Sequence, residues 1–219
     1  MLKIRIGFTL TNLCVRILVK GGNFMKIKKI TSDTYKKTKW SAGETTQIAI
    51  FPENADFSKK DFIFRISSAT VECEESDFTI FKDHNRYICP LEGEISLTHE
   101  EDSRKYNLKE YDFHEFDGAV NTKSVGKCRD YNLMLKKGMA EAKIDIIKSE
   151  KESKKFYFET VKNDIVVFFV AEGSCLIKIE DKEFSLNKFE SIEVEDFDNI
   201  YGKIYPENST VVIAQKIIK

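Results

Sequence analysis

Short runs in which apolar and polar residues alternate recur along almost the whole chain, and few have the length or spacing of a helix. In residues 176–180, for example, Ile177 and Ile179 share one face of a strand. Turn sequences that contain Gly or Asn separate these runs at short intervals. The pattern predicts an all-β sandwich or barrel with few or no long helices. The clearest predicted strands cover residues 46–51, 62–72, 86–91, 94–99, 165–171, 176–180, 191–195 and 211–218.

The size and charge balance of the chain limit both its organisation and its partners. With 219 residues, of which 42% are hydrophobic, the chain can form one large β domain or two small ones. Residues 148–155 are mostly charged, which predicts a loop between two β-rich halves at 25–148 and 149–219. The 35 basic and 36 acidic residues nearly cancel, so we expect no nucleic-acid partner and no membrane partner.

Residues 1–24 are predicted to be a non-native extension, with the true start at Met25. Polar residues such as Arg5 and Arg16 interrupt their apolar positions, and no cleavage sequence follows, so neither a signal peptide nor a membrane span fits. The residues just before Met25 back-translate to a purine-rich ribosome-binding sequence. The five cysteines contain no C-x-x-C pair and fit small buried residues in a reducing, cytoplasmic environment.

Arginine usage points to a binding site. Only six of the 35 basic residues are arginines, yet Arg65 and Arg86 lie in predicted strands. A planar guanidinium can hold a carboxylate through two parallel hydrogen bonds. Ser67 shares the strand face of Arg65 and can donate to the same carboxylate, while the lack of a G-x-S-x-G sequence disfavours a nucleophilic role. The alternative is that both arginines pair with Asp or Glu and link neighbouring strands.

A second group of candidates follows from residues 130–134. Alternation places Asp130, Asn132 and Met134 on one strand face. A carboxylate and an amide there can orient a ligand N–H or an arginine, and methionine adds an adaptable apolar wall. The alternative is a buried network in which Asp130 accepts hydrogen bonds from backbone amides. Trp40, the only tryptophan, can stack on a planar ligand or be an ordinary core residue.

The histidines give little support for metal chemistry. The chain has only His84, His99 and His114, with no H-x-H pair. We therefore predict no metal ion and no cofactor. We interpret His99 and His114 as surface residues at strand ends.

Four segments between residues 40 and 138 resemble the HutD/Ves family in their order and spacing. They are W-S-A-G-E-T-T-Q-I at 40–48, F-R-I-S-S-A-T-V at 64–71, F-D-G at 116–118 and G-K-C-R-D-Y-N-L-M at 126–134. The resemblance implies a double cupin, in which one chain forms two β-barrels and the first half carries the ligand pocket. It also implies a small carboxylate ligand, such as urocanate or a formylated glutamate. The implied role is a modulator linked to histidine utilisation and not a pathway enzyme.

Two other functions stay open from the sequence. The first is a metal-independent cupin enzyme, an isomerase or hydrolase, with Asp130 as general base. The second is a structural or interaction protein without a ligand. A homodimer is compatible with each of these functions, since no sequence feature fixes the oligomeric state.

Overall fold

The computed structural model describes residues 5–9, 12–18, 24–101, 103–161 and 163–219. The chain divides into two compact units. The middle unit contains residues 35–141, and the terminal unit combines residues 1–34 with residues 142–219. The elements before the middle unit are β1 (Arg5–Thr9), β2 (Asn12–Leu18), β3 (Phe24–Ile30) and a 3₁₀ turn at Ser32–Thr34.

The middle unit is a sandwich of two antiparallel sheets. Its strands are β4 (Lys36–Trp40), β5 (Gly43–Phe51), β6 (Phe64–Val71), β7 (Glu75–Asp77), β8 (His84–Gly93), β9 (Ile95–His99), β10 (Lys105–Leu108), β11 (His114–Asp117), β12 (Thr122–Val125) and β13 (Cys128–Lys136). One sheet has the order β11–β8–β13–β6–β5–β4, and the other has the order β10–β9–β12–β7. Apolar residues of both sheets, including Val71, Ile88 and Leu97, pack into one core between them. A 3₁₀ helix at Phe57–Lys59 connects β5 to β6.

The terminal unit also has two sheets. Its remaining strands are β14 (Glu141–Ser149), β15 (Lys154–Phe158), β16 (Ile165–Glu172), β17 (Ser174–Ile179), β18 (Lys182–Asn187), β19 (Ser191–Glu195), β20 (Ile200–Pro206) and β21 (Thr210–Ile218). The sheet orders are β1–β2–β3–β19–β16–β21–β14 and β15–β20–β17–β18. Phenylalanine rings fill the space between the sheets, with the Phe168 ring 4.7 Å from that of Phe156 and 5.8 Å from that of Phe158. This unit therefore has a tightly packed apolar core.

The predicted all-β fold class is confirmed, and each predicted strand overlaps an observed one. In β17 buried and partly exposed residues alternate strictly, as the sequence pattern requires. The apolar run of β16 is instead buried at every position from Ile165 to Ala171. No helix among the described residues has the length and apolar character needed to cross a membrane.

The observed boundary between the units differs from the expected one. Residues 25–34 were expected in the first half, but β3 pairs with β19 and so belongs to the terminal unit. The expected loop at 148–155 is also shorter, because β14 extends to Ser149 and β15 begins at Lys154. Charged residues can occupy exposed positions of a strand as readily as a loop, which is why composition overestimated the loop.

The expected start at Met25 is not decided by the structure. Residues 19–23, on which that expectation rests, lie outside the described residues. The backbone of β2 pairs with β3 in the terminal unit. The start therefore stays a prediction.

Candidate functional site

One cavity of the middle unit, with a volume of about 280 Å³, is lined by all of the residues that the sequence marks as candidates. Strands β5, β6, β8 and β13 form one side of it, and β7 with residues 78–81 forms the other. The candidates around it are Trp40, Arg65, Ser67, Arg86, Asp130, Asn132 and Met134. The structure thus brings the whole set together, and ligand binding by that set stays a prediction.

The strand register explains why these side chains meet. Met134 on the central strand β13 lies opposite Arg65 on β6 and opposite Arg86 on β8, so the three form one row across the sheet. Asn132 and Asp130 follow at two-residue steps along β13 and therefore point to the same face. The cavity is the polar part of the sheet face that is turned toward the second sheet.

Arg65 is held at the cavity by neutral partners. Its Nε donates to Oε1 of Gln47 at 3.1 Å, and a terminal nitrogen donates to Oγ of Ser67 at 3.0 Å. Its guanidinium lies over the Phe57 ring, 4.0 Å from the ring centroid. Burial lowers the pKa of Arg65 to about 10, so the group remains charged at neutral pH.

Arg86 is buried with fewer hydrogen bonds. One terminal nitrogen donates to the Thr79 carbonyl oxygen at 3.3 Å, while Nε has no partner. The guanidinium lies 4.8 Å from the Phe78 ring centroid and 5.2 Å from that of Phe116. Burial lowers the pKa of Arg86 to about 10, and the nearby charge of Arg65 contributes in the same direction.

Neither cavity arginine forms a salt bridge with a described residue. The expected alternative, in which Arg65 and Arg86 link strands through carboxylates, therefore does not describe this site. Arg129, which is next to Asp130 in the sequence, does form a salt bridge, with its Nε 3.7 Å from Oε2 of Glu92. The cavity holds two buried positive charges and the single buried carboxylate of Asp130.

Asp130 is a buried carboxyl group with one hydrogen bond. Its Oδ1 accepts from the Ala69 backbone N–H at 3.1 Å. The alternative of a buried network, in which Asp130 accepts from backbone amides, predicts a hydrogen bond of this kind. Burial raises the pKa of Asp130 from 3.8 to about 6, although the Ala69 N–H and the charge of Arg86 act in the opposite direction. The carboxyl therefore titrates close to neutral pH.

The remaining candidates complete the cavity wall. The side-chain oxygen of Asn132 is buried and has no hydrogen-bond partner. Met134 packs against Phe62 and Phe81 at the apolar end. Trp40 is 38% exposed, so it lies at the rim and is not the core residue that the alternative interpretation suggested.

Sequence reasoning missed the aromatic residues that cover the guanidinium faces. Phe57 and Phe78 lie in connecting segments outside the alternating strands, so no periodicity marked them. Gln47, which accepts from Arg65, is in the 40–48 segment but was not singled out. The clustering of phenylalanine near the two arginines was the available clue, because a buried guanidinium is often stacked on aromatic rings.

The interpretation of His99 as a surface residue was wrong. His99 is 7% exposed, and its Nδ1 is 2.8 Å from Oγ1 of Thr122. Its Nε2 is 2.8 Å from Nε2 of His114, whose ring packs against Tyr106 with 4.2 Å between centroids. Within the described part of the chain, no group of three or more His, Cys, Asp or Glu side chains is placed to hold a metal ion.

Comparison with known proteins places the fold in a family. A family model described as HutD matches residues 32–210. The chain belongs to the HutD family. The range matched by the HutD model contains the whole middle unit and therefore the cavity. A search of curated proteins gives no match.

Solved structures show the same fold as this HutD-family protein at low sequence identity. PA5104 from Pseudomonas aeruginosa PAO1, described as a conserved protein of unknown function, superposes with a TM-score of 0.78 at 19% identity, covering 88% of this chain and 99% of that one. HutD from Pseudomonas fluorescens SBW25 gives a TM-score of 0.68 at 17% identity, covering 87% and 97%. YhhW from Escherichia coli gives 0.66 at 10% identity, covering 87% and 97%. These likenesses establish the fold alone.

Proposed function

We propose that this HutD-family protein binds a small carboxylate metabolite in the cavity of the middle unit. The observation that carries the proposal is that Arg65 and Arg86 share a buried cavity while neither forms a salt bridge with a described residue. The single carboxylate of Asp130 offsets only part of the two buried positive charges, and an anion in the cavity would offset the remainder. Ligand binding is the arrangement in which both guanidinium groups are compensated.

The arrangement of the guanidinium groups favours a carboxylate ligand. One phenylalanine ring lies over Arg65 and two lie near Arg86, so a ligand would bind through the N–H donors that hydrogen bonds within the protein leave unused. A carboxylate matches a guanidinium edge with two parallel hydrogen bonds. The volume of about 280 Å³ is close to the lower end, about 300 Å³, of typical small-molecule sites. The ligand is therefore a compact metabolite.

For the biological role, we propose a cytoplasmic modulator linked to histidine utilisation, which acts by binding and not as a pathway enzyme. Membership of the HutD family supports this role. The related structure of HutD from Pseudomonas fluorescens SBW25 is described with the words "formate condition". Formate is the smallest carboxylate and is therefore a suitable first probe.

A metal-independent enzyme is the second candidate function. One observation favours it: the pKa of Asp130, raised by burial to about 6, is near the range in which a general base works efficiently. Incubation of the protein with a mixture of small carboxylates, followed by mass spectrometry, tests it. Conversion that is lost in Asp130→Asn would support catalysis over simple binding.

Calorimetric titration with sodium formate, sodium succinate and sodium glutarate tests the leading proposal. We expect saturable binding of at least one carboxylate, with sodium chloride as the control for ionic strength. Arg65→Lys and Arg86→Lys should each weaken that binding about tenfold or more, because an ammonium cannot replace the planar fork.

Arg129→Lys is the matched control. Arg129 lies on the same strand as Asp130 but faces Glu92 and not the cavity, so this variant should bind as the wild type does. Thermal unfolding of each variant confirms that it is folded. Unchanged affinity in folded Arg65→Lys and Arg86→Lys variants would remove these residues from the site.

A further inference from the structure

Two acceptor oxygens on the same strand face of the cavity accept no hydrogen bond from the described residues. Asp130 Oδ1 accepts from the Ala69 N–H, and the second oxygen of Asp130 makes no hydrogen bond with the described residues. The side-chain oxygen of Asn132, two residues along the same face, is buried and also has no partner. The buried oxygen of Asn132 requires a donor, which can be water, a ligand group or a proton on the nearby Asp130 carboxyl group.

The positive charges around Asp130 partly oppose the rise in its pKa that burial causes. Arg65 and Arg86 are the only positive groups that line the described cavity, and they favour the ionised form of Asp130. An anion bound to both guanidinium groups cancels that effect and adds a negative charge inside the same cavity. The titratable and charged groups that face Asp130 or flank it are Arg65 on β6, Arg86 on β8, Asp77 at the exposed rim on β7, and Cys128 and Arg129 on its own strand.

We propose that the carboxylate enters this cavity together with one proton, which is taken from solvent and held by Asp130. The inference rests on the proposed function and specifies how that site is regulated. The proton forms an O–H bond on the Asp130 carboxylate, and no other covalent bond changes. The protonated carboxyl then supplies an additional donor, for Asn132 or for the ligand. Binding is consequently favoured by mildly acidic conditions.

The free protein sets the pH range in which this coupling is visible. The pKa of Asp130, raised by burial to about 6, leaves most of the carboxyl ionised at about pH 7 before the anion arrives. Binding should then take up most of one proton per anion. Uptake should fall toward zero below about pH 5, where the free protein is already protonated. Above about pH 6.5, the dissociation constant should rise about tenfold per pH unit until the bound carboxyl itself ionises.

Calorimetry in two buffers of different ionisation enthalpy, Tris and HEPES, measures the protons taken up as sodium formate or sodium succinate binds. We expect uptake in the wild type that is lost in Asp130→Asn, which mimics the protonated acid and should bind with little dependence on pH. Asp83→Asn is the matched control, because Asp83 is an exposed aspartate of the same unit that does not line the cavity and should leave the uptake unchanged. Infrared difference spectra of the wild type give an independent reading, since a protonated carboxyl acquires its own C=O stretch when the anion is added.

The possible outcomes test the proton coupling and the proposed carboxylate binding separately. Carboxylate binding without proton uptake between about pH 6 and pH 8 overturns this inference while the proposed function stands. Uptake that persists in Asp130→Asn, or an infrared spectrum without the new C=O stretch, overturns it as well. Failure of all three carboxylates to bind the wild type overturns the proposed function itself.

Discussion

Replacing Asp130 by Asn should stabilise the ligand-free protein at alkaline pH, and the gain should shrink to zero as the pH falls to about 4. Burial raises the pKa of Asp130 from 3.8 to about 6, which means that the folded state holds its proton more tightly than the unfolded state. Stability from this group is therefore fully present below about pH 4 and is lost as the pH rises through about 6. A difference of about two pKa units corresponds to about 3 kcal/mol. Asparagine keeps the acceptor for the Ala69 N–H and removes the titration.

Urea unfolding at several pH values measures the effect. Trp40 is the only tryptophan and lies in the same unit as Asp130, so its fluorescence reports on the relevant part of the molecule. The variant should exceed the wild type in free energy of unfolding by about 3 kcal/mol at about pH 8 and by about half of that at about pH 5. Asp83→Asn should show no such trend. An advantage of the same size at both pH values would refute the reasoning, since it would not arise from ionisation.

Three further variants test the packing around the cavity. Arg86→Met should abolish formate binding and raise the unfolding temperature, because an apolar chain replaces a buried charge; a lower unfolding temperature would contradict this. Phe57→Ala should weaken carboxylate binding by about 1 kcal/mol in calorimetry with little loss of stability, since its ring covers Arg65 but is 39% exposed. Gly43→Ala should lower the free energy of unfolding by about 2 kcal/mol or more, because a Cβ at φ +155° would overlap the Thr70 carbonyl oxygen. Urea unfolding checks this last variant, and a fully stable one would contradict the geometry.

The sequence predicted the strands because their burial is set locally. Alternation in β17 and the continuous apolar run of β16 are visible in the chain itself, and both are observed. The division into units was not predictable in the same way. Whether β3 joins the strands that follow it or pairs with β19, far along the chain, depends on long-range pairing, which has no local signature.

The candidate cavity was predictable to the extent that strand alternation controls it. The positions of Asp130, Asn132 and Met134 on one face follow from a period of two, and the register then brings Arg65 and Arg86 beside them. Residues in connecting segments were not predictable from strand alternation. Phe57 reaches Arg65 only because a 3₁₀ turn places it there, and the burial of His99 depends on pairing between β9 and β12.

Each unit is built from two sheets, but the side chains that face inward differ in polarity between the units. On β16 of the terminal unit, the inward positions carry Val166, Phe168 and Val170, which are apolar and fully buried. On the central strand of the middle unit, the inward positions include Asp130 and Asn132, which carry polar atoms that the described chain does not satisfy. Such atoms lower the stability of the free protein, and natural sequences retain them where a function depends on them. An anion that binds Arg65 and Arg86 only in the folded state would therefore raise the stability of the middle unit.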